Sequence, residues 1–68
     1  MGYIWNTQEE MLTDLDDARG GFEANVEAGA VDTTVIEQVR EAFVNADLMR
    51  TAEAATIAID MAENAITG

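Results

Sequence analysis

Residues 47–66, DLMRTAEAATIAIDMAENAI, decide the fold, because two readings of them give two architectures. Glu53, Thr56, Asp60, Glu63 and Asn64 recur at steps of three and four, which is one narrow polar stripe on a helix. The rest of residues 51–66 is Ala, Ile and Met apart from Thr51, so two adjacent faces are apolar. Upstream, Val35, Ile36, Val39, Ala42, Phe43 and Ala46 mark a helix face, but extending that face lands on Arg50 and Glu53. The apolar set restarts as Leu48, Ala52, Ala55, Ile59, Ala62 and Ile66, with Ile57 and Met61 beside it. The phase slips across Asp47–Thr51. Either the chain breaks there, or one long helix carries two packing surfaces. Good helix formers fill the junction and neither Gly nor Pro interrupts it, so continuity over 34–66 is the expectation. A three-helix arrangement with a break near residues 47–51 is the alternative.

The first half reads as one helix. Thr7-Gln8-Glu9-Glu10 fits a capping box, and Met11, Leu15, Ala18, Phe22 and Val26 follow at helical spacing. Gly29 after Ala28 offers the left-handed stop that only Gly adopts without steric cost. Helix one is therefore expected over 7–28, with Gly20-Gly21 as tolerated interior weak points, after an aromatic arm at 1–6. A loop at 29–33 leads to a second cap, from Asp32 or Thr34. The expected fold is all-α, a single domain built as an antiparallel helical hairpin with a long second helix.

That fold leaves apolar surface uncovered. Helix one would be about 33 Å long and helix two about 49 Å, so the last third of helix two overhangs. Tyr3, Ile4 and Trp5 can cover only part of it. The expected protein interface is therefore Tyr3, Ile4, Trp5, Leu48, Ala52, Ala55, Ile57, Ile59, Met61, Ala62 and Ile66. Arg50, on the core-side stripe, is expected to pair with Asp47 or Asp14, or across a subunit contact.

Composition narrows the function classes. A chain of 68 residues is marginal as a free-standing domain and needs reinforcement. It has no Cys and no His, which removes disulfides, thiolate metal sites and the commonest general base. Fourteen acidic residues face three Arg and no Lys, a formal charge of −11 that repels nucleic acid and anionic membranes. A halophilic or GC-rich genome writes the same bias into its proteins generally. The 49% apolar content is too high for a disordered acidic tail. MGYIWNTQ lacks the basic and apolar regions of a signal peptide, Asn6 stands where myristoylation needs Ser or Thr, and no run is long enough to span a membrane. A soluble intracellular or virion location is expected.

The carboxylates do not assemble a recognisable site. In Asp14-Leu15-Asp16-Asp17, an EF-hand would need a ligand at Ala18, Gly at Arg19 and Glu at Asn25, and all three fail. No catalytic residue, cofactor or metal site is expected, and the chain is read as non-enzymatic. Glu10, Asp14 and Asp17 could form an acidic face: helix one carries seven carboxylates, about one per 4 Å, near the spacing of phosphates along a DNA strand. The leading expectation is a small acidic accessory subunit of a larger assembly, such as a minor capsid or other virion protein. It would contact a protein partner or itself, with no direct nucleic acid and no membrane. The alternative is an acidic DNA mimic that inhibits a nucleic-acid-binding protein, of the anti-CRISPR or anti-restriction type.

Overall fold

A computed structural model describes residues 3–67, which form three helices: α1 (Gln8–Glu27), α2 (Ile36–Met49) and α3 (Ala52–Ala65), with one 3-10 turn, Thr33–Val35, leading into α2. Met1 and Gly2 of the expected arm, and Gly68, lie outside the described residues. The all-α expectation holds. The only strand-like pairing among the described residues is a single antiparallel bridge, Val31 to Ile66.

Local chemistry accounts for α1. The Thr7 hydroxyl accepts from the Glu10 N–H at 3.2 Å, and the Glu10 carboxylate meets that hydroxyl at 3.5 Å. At the other end Gly29 turns left-handed, with φ of 74°. The Ala30 N–H donates to the Asn25 carbonyl at 2.9 Å and the Gly29 N–H to the Val26 carbonyl at 3.1 Å, the paired bonds of a Schellman stop. Gly20 and Gly21 stay inside one continuous helix. Both face open space, since a Cβ at either would meet nothing within 4 Å, so they permit no close helix approach.

The long second helix does not form. Helix 34–66 is two helices of 14 residues each, separated at Arg50 and Thr51. Arg50 adopts the left-handed conformation with φ of 55°, and its N–H closes α2 on the Ala46 carbonyl at 2.9 Å. Thr51 is extended and its hydroxyl accepts from the Ala54 N–H at 3.2 Å, opening α3. The reason is burial. A straight helix would carry Arg50 and Glu53 into the face that Val39, Phe43 and Ala46 occupy. Breaking there re-aims the chain so that Ala54, Ala55, Ala58, Ile59, Ala62 and Ala65 all point inward. A left-handed non-Gly residue costs about 1–2 kcal/mol, whereas burying one Ile side chain returns about 1.5–3 kcal/mol. Ile59 alone offsets the corner.

Contacts between the helices set their directions. Gln8 at the start of α1 donates from its amide to the Arg50 carbonyl at 3.3 Å, and Arg19 reaches Asp47 on α2 at 2.6 Å. Further along, Glu23 meets Arg40 at 2.7 Å, so α1 and α2 run in opposite directions. The chain then folds back, and the end of α3 is stitched beside the end of α1. There the Asp32 N–H donates to the Ala65 carbonyl at 3.0 Å and the Thr67 N–H to the Ala30 carbonyl at 2.7 Å. Volume in the core comes from Met11, Leu15, Phe22, Val39 and Phe43, and the small Ala residues of α3 let it lie close against both other helices.

Candidate protein interface

The structure divides the eleven expected interface residues. Ala55, Ile59 and Ala62 are buried at 0%, 6% and 2% exposure, in the protein's own core. They are corrected from interface to core, because α3 turns that face onto α1 and α2 once the chain breaks at Arg50. Ile4, Leu48, Ala52 and Ile57 are exposed, while Tyr3, Trp5, Met61 and Ile66 are half-buried.

The aromatic arm is anchored rather than projecting. Tyr3 and Trp5 stack with ring centroids 5.6 Å apart. The Trp5 indole N–H donates to Asp14 Oδ2 at 2.6 Å, and the Tyr3 hydroxyl donates to Glu63 Oε1 at 3.1 Å. The arm thus straps α1 to α3. Desolvation, followed by the hydrogen bond to the Glu63 carboxylate, raises the Tyr3 pKa above its ordinary value. Ile4 points away from this strap into solvent.

Outward-facing apolar side chains fall on two sides of α2. Val44 shares the flank near α1 with Arg19, Arg40, Glu23 and Asp47, and Leu48, one turn further on, faces solvent. That flank is strongly charged but internally paired. Arg19 binds Asp47 and lies 5.4 Å over the Phe43 ring. Arg40 grips both Glu23 oxygens, at 2.7 and 2.9 Å, and this hydrogen bonding holds the Glu23 carboxyl below its ordinary pKa and raises that of Arg40.

The second side is different in kind. Between α2 and α3 lies a groove of about 220 Å³ lined by Asp32, Val35, Gln38, Val39, Met61, Asn64 and Ala65. Rows at helical spacing continue it: Gln38, Ala42, Asn45 and Met49 on α2, and Ile57, Met61 and Asn64 on α3. Met49 and Ile57 are 59% and 52% exposed, and the polar members are neutral amides. Asp32 lines one end of the groove, and Glu41 on α2 and Glu53 and Asp60 on α3 fall in the rows beside it. Asp32 is held below its ordinary pKa by hydrogen bonds from the Thr34 hydroxyl and backbone N–H. Met49 and Ala42 were not among the expected interface residues. Their place beside Ile57 and Met61 becomes visible only after the break makes α2 and α3 neighbours.

The expected acidic face keeps its exposure but not its freedom. Glu10, Asp14 and Asp17 are all exposed on one side of α1. Asp14 already accepts from Trp5, and Glu10 is occupied with the Thr7 cap. Arg50, expected to pair with a carboxylate, instead directs its Nε to the Asp47 backbone carbonyl at 3.4 Å.

For chemistry, the site offers little. The groove is below the roughly 300–1,000 Å³ of small-molecule pockets. Among the described residues no polar or charged side chain is buried, and no group of His, Cys, Asp or Glu is arranged to hold a metal ion. Among the described residues, no helix is long and apolar enough to cross a membrane. Neither a protein-family model, nor a curated protein, nor a solved structure matches this chain, so its function is argued from its own residues.

Proposed function

We propose that this chain is a non-enzymatic interaction protein: a small acidic subunit of a larger protein assembly, in the class of minor capsid and other virion components. One observation carries the reading. On a molecule with a formal charge of −11, the α2–α3 side gathers the apolar side chains of Val35, Ala42, Met49, Ile57 and Met61, interspersed with the neutral amides Gln38, Asn45 and Asn64 and with Asp32 at one end. Isolated apolar residues on a surface need no explanation, but apolar side chains gathered on one face of so acidic a molecule favour a contact surface. The lack of buried polar groups among the described residues supports a binding role over a catalytic one.

A DNA mimic is the second reading, favoured by the shared exposure of Glu10, Asp14 and Asp17 on α1. The two readings place the contact on opposite kinds of surface, so paired variants separate them. Tagged protein returned to its native cells and sized in the clarified extract is expected to run in a complex well above its own mass. Met49→Gln/Ile57→Gln should release it from that complex, and Glu10→Gln/Asp14→Asn/Asp17→Asn should not. If the acidic triple variant is released while the apolar pair remains bound, and DNA competes for the partner, the mimic reading takes precedence. Wild-type protein running at its own mass would overturn both.

A further inference from the structure

We infer that the α2–α3 groove receives one amphipathic helix of a basic partner protein, its apolar side seated between the helices and its Lys or Arg flanks on the rim. This rests on the reading of the chain as an interaction subunit and adds the chemistry of what binds. The groove itself lies at the Val35–Val39 and Met61–Ala65 end, and the two helices that bound it have 14 residues each, about 21 Å, which matches about four turns of a partner helix lying along them. Val35, Val39, Met61 and Ala65 line the groove, and Ala42 and Met49 on α2 and Ile57 on α3 fall at helical spacing in the rows that run on from it. Met side chains on such a surface adapt to the shape of what they meet. Anchors spaced at three, four and seven residues on the incoming helix fit this mode of recognition.

Charge decides between a second copy and a foreign partner. Asp32 lines one end of the groove, and helical spacing puts Glu41, three residues from Gln38, and Glu53, four from Ile57, in the exposed rows beside it, which makes the rim acidic. A two-fold dimer through this face would bring the acidic rims of both copies together. Nor can the chain supply enough compensating cations, since one Arg per copy is left to meet the acidic residues of the rim. Arg19 and Arg40 are tied to Asp47 and Glu23 within the same copy, and the remaining Arg50 sits at the α2–α3 corner. A helix flanked by Lys and Arg meets complementary potential along both edges, and an acidic helix is rejected by it.

The test uses labelled synthetic helices of about eighteen residues, about five turns. One is amphipathic with Leu anchors and Lys/Arg flanks, one keeps the anchors with Glu flanks, and one is the basic peptide scrambled. Fluorescence anisotropy with the full-length chain should show the basic amphipathic peptide binding at least about tenfold tighter than either control. Met49→Gln/Ile57→Gln should lose that preference, and Glu41→Gln/Glu53→Gln should weaken binding about threefold and flatten its salt dependence. Amide shift changes in the wild-type protein, which depend on no variant folding, should fall on α2 and α3 rather than on the outer face of α1. Equal binding of the scrambled peptide, or shifts centred on α1, would overturn the inference. So would sedimentation of the wild-type protein as a dimer that Met49→Gln/Ile57→Gln dissociates, because a second copy would then be the occupant. If the peptides fail while the native complex still depends on Met49 and Ile57, the partner chemistry is wrong and the subunit reading survives. Loss of both removes the reading itself.

Discussion

Arg50 holds the corner on which the architecture turns. Its φ of 55° lies where a Cβ crowds the following carbonyl, at a cost of about 1–2 kcal/mol. Its backbone does the useful work: the N–H closes α2 on Ala46 and the carbonyl accepts from Gln8. The side chain contributes one long bond to the Asp47 carbonyl. Gly would keep both backbone contacts and remove the strain, partly offset by the greater freedom of Gly in the unfolded chain. Arg50→Gly is therefore expected to stabilise by about 0.5–1 kcal/mol, a rise of a few degrees in melting temperature for a chain this size. A lower melting temperature would mean that the guanidinium, rather than the backbone, secures the corner.

At the scale of the element, α3 has two apolar aspects with opposite fates. Ile59 is 6% exposed and packs inward, while Ile57, two positions earlier, is 52% exposed beside the groove. An Asp at each position separates them. Ile59→Asp puts an unpaired carboxylate into an Ala-lined core and removes one of the few large side chains α3 contributes. The cost is several kcal/mol, comparable to the whole stability of a small domain. Circular dichroism is expected to show loss of helix in Ile59→Asp even without any partner. Ile57→Asp should keep near-native helix content and lose the partner instead. Both variants remaining folded would contradict the assignment of Ile59 to the core.

The whole molecule measures 34 × 20 × 16 Å, so a helix of about 49 Å could not fit along its longest axis. Folding a 68-residue chain back on itself twice concentrates fourteen carboxylates on a small surface. The ion pairs Arg19–Asp47 and Arg40–Glu23 join α1 to α2, but their partly exposed side chains limit each to about 1 kcal/mol or less. Repulsion among the remaining carboxylates acts over the entire surface and outweighs two screened pairs. Salt, with a Debye length of about 10 Å at 0.1 M, weakens both, and the larger effect prevails. Melting temperature is expected to climb between dilute buffer and molar NaCl. A flat or falling trend would show that the ion pairs dominate.

What the sequence by itself determined was local. Thr7 and Glu10 mark the start of α1, Gly29 marks its end, and the spacing of Met11, Leu15 and Phe22 identifies its inner face, because caps and periodicity depend on residues within a turn or two. The slip near Asp47–Thr51 was legible as a change of phase. Its resolution was not, because Leu, Met and Arg are good helix formers and no local rule stops a helix at Arg50. Only tertiary structure decided that point: the cost of a left-handed Arg is offset by one buried Ile, and that Ile is buried only when α3 lies against α1 and α2 together. The same choice decided which apolar faces stay outside. Ala55, Ile59 and Ala62 became core, and Met49, Ala42, Ile57 and Met61 became one surface, because which apolar face stays outside depends on which other face the fold has already used.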